Sequence, residues 1–177
     1  MLAANGGYAF KMRADGTYDD KDTGVNNAGA LKGAELLTKM VQEGVMPKGA
    51  TYADMEAQMA QGKLAMMISG PWAWDNLKKA KINFGVAKIP SVAGKPAAPF
   101  VGYLGAMITK AASGAGNADI AREFIENHML SQKGLETMNA DVAIGAPANK
   151  AAYAKMKNDP FIQVSMASAK DGVVMPN

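Results

Sequence analysis

Gly62-Lys63-Leu64-Ala65-Met66-Met67-Ile68-Ser69-Gly70-Pro71-Trp72-Ala73-Trp74 is the stretch whose reading decides the fold. Leu64 to Ile68 is a continuous apolar run, the pattern of a strand covered on both faces. Ser69-Gly70 ends it. Pro71 has a fixed φ and no amide to donate, which suits the first position of a helix, so a short helix is predicted over Trp72 to Lys79. A strand thus leads through a sharp turn to an indole at the mouth of a helix. In open α/β folds, ligands collect at the carboxyl ends of the strands. Trp74 reads as a core residue. For Trp72, position leaves two readings open: core packing, or stacking on the C–H face of a sugar ring. Covering ~100 Å² in that way contributes about 2.5 kcal/mol, and one indole alone does not offset the entropy lost on association.

Upstream, Tyr8 to Met12 and Thr17-Tyr18 flank Ala14-Asp15-Gly16, a hairpin signal. Asn26 or Asn27 offers a cap for a helix with Ala30, Leu31, Ala34, Leu37 and Val41 at helical spacing, stopped by Gly44. Thr51 caps a second helix, Tyr52 to Gln61. Downstream, Asn83 to Ile89 is the next predicted strand. Pro90, Gly94, Pro96 and Pro99 break regular structure and form the clearest linker. Phe100 to Thr109 is extended and apolar. Helices follow from Asn117 to Met129, with Ile120, Phe124 and Ile125 inward, and from Ser131 to about Asn139. Two more cover Lys150 to Lys157 and Pro160 to Lys170. Strands alternating with helices in the first hundred residues imply an α/β layer with a largely parallel sheet. The second part is helix-dominated.

The 177 residues carry 49% hydrophobic and 20% charged side chains, an ordinary balance for a globular chain. The net charge of +3 is spread without a like-charge run, so there is no electrostatic case for nucleic acid. With no cysteine and the single histidine His128, thiol chemistry and the usual His or Cys metal sites are excluded, and no cofactor is expected. His128 sits near a helix C-terminus, where capping explains it. Met66, Met67 and Met107 lie in apolar runs as packing filler. Asp19, Asp20 and Asp22 form an acidic loop but lack the ordered glycine and further oxygens of a calcium loop. Asp54 and Glu56 point to different helix faces, and Glu123 and Glu126 read as solvated charges. No convincing catalytic pair emerges. The chain also shows no nucleophile elbow, phosphate loop or dinucleotide fingerprint. Its start, Met1 to Gly7, is not a signal peptide, and no apolar run is long enough to span a bilayer.

The segment Gly62 to Trp72 resembles a Gly-Lys-x-Ala-Met-x-x-x-Gly-Pro-Trp stretch common in the carbohydrate-binding proteins of ABC transporters. Further pieces resemble the maltose/maltodextrin-binding members: Ala3-Ala4-Asn5-Gly6-Gly7-Tyr8-Ala9-Phe10-Lys11, Gly70-Pro71-Trp72-Ala73-Trp74, Pro99-Phe100-Val101-Gly102 and Met175-Pro176-Asn177. The resemblance implies a periplasmic-binding-protein-like α/β fold of two lobes, with a mainly parallel sheet flanked by helices and sugar clamped by hinge closure. Residues 1–100 would then belong to the C-terminal lobe and 101–157 to the N-terminal lobe, with 158–177 returning to the C-terminal lobe. It also implies three ligand contacts: Trp72 stacking on a glucosyl unit, Tyr52 bonding and packing on sugar, and Met175 lining the same site. The expected ligand is maltose or maltodextrin, and the expected partner is the membrane part of an ABC importer. The protein would be periplasmic, monomeric, non-enzymatic and not inserted in the membrane. On the same resemblance, the chain is the middle-to-late part of a longer protein, retaining one wall of the site.

Besides a helper or interaction fragment whose surface only touches a transporter or another protein, two alternatives stand beside this reading. One is a binding protein for another oligosaccharide, which polar contacts would decide. The other, of a different class, is a carbohydrate-active hydrolase, which needs two carboxylates converging beside Trp72. A lobe cut across its sheet would expose strand edges and apolar patches. Calorimetry of the isolated chain is therefore expected to show a broad transition or aggregation on heating, and a sharp, reversible, monomeric transition would contradict that.

Overall fold

Side-chain caps explain where most of the helices begin. In the computed structural model, which describes residues 1–176, Asn27 accepts from the Ala30 amide, Ser131 from Gly134, and Asn149 from Ala151 and Ala152. The elements in order are β1 (Lys11–Met12), β2 (Tyr18–Asp19), α1 (Ala28–Gln42), α2 (Tyr52–Ala60), α3 (Trp74–Lys79), β3 (Phe100–Val101), α4 (Lys110–Gly114), α5 (Ala118–Glu123), α6 (Gln132–Asp141), α7 (Lys150–Met156), α8 (Pro160–Lys170) and β4 (Val173–Val174). Short 3-10 turns cover Ala3–Asn5 and Pro71–Ala73, and a π-helical segment, Phe124–Met129, follows α5. Asn177, the last residue of the Met175-Pro176-Asn177 motif, lies outside the described residues.

The chain divides into two compact units. The first comprises residues 1–55, 87–102 and those from 167 onward. β1 and β2 pair antiparallel, with Lys11 opposite Asp19 and Met12 opposite Tyr18. Gly16 takes the left-handed conformation at φ 84° that this turn requires, and Asp15 accepts from the Thr17 amide at 2.9 Å. The turn Ala3–Asn5 packs on α1 through small residues. Ala4, Ala30 and Gly33 are buried, and a Cβ at Gly33 would lie 2.7 Å from the Leu2 Cα. Leu31 and Leu37 on α1 are exposed, so burial follows the small residues of this helix. β3 and β4 form a parallel pair, Phe100 opposite Val173 and Val101 opposite Val174, and Tyr18 donates its hydroxyl to the Val174 carbonyl. Lys88 and Asp171 form an ion pair in the same unit.

The second unit comprises residues 56–86 and 103–166. Its core gathers Ala73, Trp74, Leu77, Leu135, Ala152 and Ile162. Trp74 meets Phe161 edge-on, with centroids 5.1 Å apart and planes at 69°, and Phe84 packs on the same ring at 5.4 Å. Asp75 accepts from the Ala143 amide at 2.6 Å. Lys155 pairs with Glu136 at 2.8 Å. These contacts join residues 71–84 to the helices beyond 130. Residues 56–86 and 103–166 therefore form one unit.

The expected α/β layer with a mainly parallel sheet needs correction. The chain is mostly helical, and among the described residues its sheets are two two-stranded pairs, of which one is parallel. Leu64–Ile68 and Asn83–Ile89 are not strands, and Phe100–Thr109 is a strand only at Phe100–Val101. A strand is defined by its hydrogen-bonded neighbour, and these segments meet none among the described residues. Met66 and Ile68 are exposed where two-sided burial was expected, and Leu104 is 99% exposed. Ile120 and Phe124, expected to face inward, are exposed at 71% and 58%. At Phe124 the switch to π geometry breaks the 3.6-residue period, while Ile120 lies in regular α5 before it.

Trp74 and Trp72 provide a matched test of this core. Removing a buried indole costs about 3–5 kcal/mol, comparable with the whole stability of a small domain. Trp74→Ala is expected to lose helical far-UV signal and to be cut rapidly by protease, whereas Trp72→Ala keeps the parent spectrum. Equal damage from both substitutions would contradict the assignment of the core.

Candidate functional site

Trp72 stands in the middle of the 3-10 turn Pro71–Ala73, between Gly70 and the first turn of α3. The turn is held from several sides. The Pro71 ring abuts Gly145, with Cγ 3.2 Å from where a Cβ would be. Ala73 and Trp74 are buried beneath the turn, at 1% and 8% exposure, and Asp75 is tied to the Ala143 amide. Trp72 itself is 59% exposed. Of the two readings left open by sequence position, core packing does not hold for Trp72, and it does hold for Trp74.

Tyr52 and Met175 both belong to the first unit. Tyr52 opens α2 immediately after Thr51, whose hydroxyl oxygen accepts from the Asp54 amide at 3.2 Å. In return Asp54 accepts from the Thr51 amide at 3.0 Å, a reciprocal cap that fixes the start of the helix. The Thr51 amide, and next the Thr51 hydroxyl donating to the same carboxylate oxygen at 2.7 Å, hold the Asp54 carboxyl below its ordinary range. Tyr52 is 48% exposed. Met175 continues β4 by donating its amide to the Val101 carbonyl at 3.0 Å, and its methyl lies 3.6 Å from where a Gly102 Cβ would be. It is exposed to the same extent as Tyr52. Surface hollows in this unit include one of about 380 Å³ beside Ile89, Pro90 and the Lys88–Asp171 pair, and one of about 440 Å³ beside Leu37, Val41 and Lys48. Neither is lined by Tyr52 or Met175.

Sequence comparison decides the family. The profile of the bacterial extracellular solute-binding proteins matches residues 1–164. The chain belongs to that family. Among curated relatives, a galactooligosaccharide-binding protein of Bacillus subtilis (strain 168) is 32% identical over 163 residues, covering 88% of this chain and 38% of the relative. A maltodextrin-binding protein of the same strain is 35% identical over 161 residues, covering 88% of this chain and 36% of the relative. A maltooligosaccharide ABC transporter solute-binding lipoprotein of Streptococcus pneumoniae (strain ATCC BAA-255 / R6) is 28% identical over the whole of this chain and 41% of its own length. The chain spans about two-fifths of the length of these relatives.

The acidic loop of this solute-binding protein chain has a structural explanation. Asp22 accepts from the Tyr8 hydroxyl at 2.7 Å and pairs with Lys11 at 3.3 Å. Asp19 pairs with Arg13 at 3.1 Å. Among the described residues no group of three acidic or histidine side chains is arranged to hold a metal ion. No described helix is long and apolar enough to cross a membrane. Sequence pattern gave no sign of Asp75 as the tie to Ala143, because that bond joins residues 68 positions apart.

The Tyr8 hydroxyl bond, reinforced by Lys11, holds the Asp22 carboxyl below its ordinary range, and the same contacts raise the Tyr8 phenol and the Lys11 ammonium. A carboxyl depressed in the folded state stabilises above its unfolded pKa, about 3.9, and that contribution disappears as pH falls through the folded value. The Asp22 carbon resonance is therefore expected to titrate below the model-peptide midpoint, and Tyr8→Phe is expected to move it back upward. An Asp22 midpoint at the model-peptide value would contradict the hairpin geometry.

Proposed function

We propose that this chain supplies part of the oligosaccharide-binding surface of an ABC-importer solute-binding protein, with maltodextrins as the ligand class. The observation that carries the reading is the outward indole of Trp72 on its pinned turn. A pyranose presents C–H groups on one face, and an indole covers that face without needing a hydrogen-bond partner. Tyr52 adds a ring with a polar tip, and Met175 adds a polarisable, adaptable side chain. The action is binding without covalent chemistry: sugar is clamped by hinge closure, which shifts a two-state equilibrium toward the closed form, and is handed to the membrane subunits of the importer. We assign the protein to the periplasm or the outer face of the cell envelope, in keeping with its extracellular family. The lobe assignment expected from sequence is retained as part of this proposal.

The names of the relatives support this reading and a neighbouring one. Two relatives, at 28% and 35% identity, are named for maltooligosaccharide and maltodextrin, and a third, at 32%, for galactooligosaccharide. Stacking tolerates either sugar, since what it recognises is an apolar ring face. Discrimination between α-glucan and galactoside rests on hydrogen bonds to hydroxyls, where one unmatched polar group changes selectivity far more than a lost methylene. A galactooligosaccharide is thus the second ligand class.

Titration of intrinsic tryptophan fluorescence tests the proposal. Maltotriose is expected to quench or shift the emission of this chain at millimolar concentration, and Trp72→Ala to weaken binding at least tenfold, about 1.4 kcal/mol. Unchanged affinity in Trp72→Ala would remove this residue from the sugar surface. A stronger response to galactotriose than to maltotriose would transfer the assignment to the second ligand class.

A further inference from the structure

We infer that Gly70 is a positioning residue for Trp72: the missing side chain at 70 is the space that the indole occupies, and this sets the ring surface offered to ligand. The inference rests on the sugar-binding reading of Trp72 and adds the residue that aims it. Gly70 has φ −126° and ψ −174°, an extended conformation open to any residue. Backbone torsion therefore does not call for glycine here. The indole does. A Cβ at position 70 would sit 2.8 Å from Cε3 of Trp72 and nearer still to Cζ3 and Cη2, inside the 3.0 Å that real Cβ contacts essentially never breach.

Something must give on substitution, and the surroundings identify which part. Pro71 is against Gly145, Ala73 and Trp74 are buried, and Asp75 is bonded to Ala143. The turn is held on these sides. The indole is more than half exposed, and the atoms that a Cβ would meet lie at the far edge of its ring. Alanine at 70 thus displaces the ring and leaves the turn in place. In the parent chain the ring lies over Gly70, and that position sets the face it offers. Glycine followed by proline serves two separate purposes: proline starts the turn, and glycine leaves room for the ring.

The experiment uses the chain labelled with 5-fluorotryptophan, which has two fluorine resonances because the sequence holds two tryptophans. Trp72→Phe assigns them. Gly70→Ala is expected to shift the Trp72 resonance while the Trp74 resonance and the far-UV spectrum stay where they were. Maltotriose binding by Gly70→Ala is expected to weaken by roughly five- to tenfold. Placing Gly70→Ala on top of Trp72→Ala is expected to change nothing further, because there is then no ring to displace. An unmoved Trp72 resonance in Gly70→Ala would overturn the inference. So would a loss of helical signal on adding Gly70→Ala to Trp72→Ala, which would show that the backbone needs the glycine. If the resonance moves as expected but maltotriose perturbs neither resonance of the parent, the seat stands and the sugar reading fails.

Discussion

Trp74 lies edge-on to Phe161, buried, with Phe84 on the other ring. This aromatic contact ties the residues after Gly70 to a helix ninety positions later, and the position of Trp72 depends on it. In the turn Pro71–Ala73 leading into α3, consecutive residues cannot all face the same way. Trp74 and Leu77 point into the core, so the indole two residues before Trp74 is left at the surface. The bond from Ala143 to Asp75 and the contact of Pro71 with Gly145 then hold the turn against rotation. Two tryptophans of identical chemistry thus have opposite exposure.

What could be read from the residues was mainly local. The hairpin, the caps Asn27 and Thr51, and the stop at Gly44 each depend on a few neighbouring residues, and they appear where their chemistry places them. Leu64–Ile68 and Asn83–Ile89 fail as strands for a non-local reason. An apolar run states that burial is favourable but does not supply the backbone that would share its hydrogen bonds. Ile120 and Phe124 fail differently. Their spacing fits an α-helix, but both stay exposed: the backbone turns to π geometry at Phe124, while Ile120 lies in regular α5 before it.

At the candidate site the division is similar. Gly-Pro-Trp signals a turn with an aromatic at its mouth, and resemblance added Tyr52 and Met175. The space at Gly70 and the tie at Asp75 were not legible. A glycine before proline has an obvious role in turning the chain, which hides its second role, and the partner of Asp75 is distant in sequence. The chain belongs to the bacterial extracellular solute-binding proteins, and its Trp72 is exposed on a turn held by Pro71 and Asp75.

Intermolecular nuclear Overhauser effects between the tryptophan ring protons and the C–H protons of saturating maltotriose would address the central claim at the level of atoms. The account predicts cross-peaks from the indole of Trp72 to protons on one face of a glucosyl ring, with none from Trp74. Sugar cross-peaks confined to other residues, with the Trp72 ring silent at saturation, would contradict it.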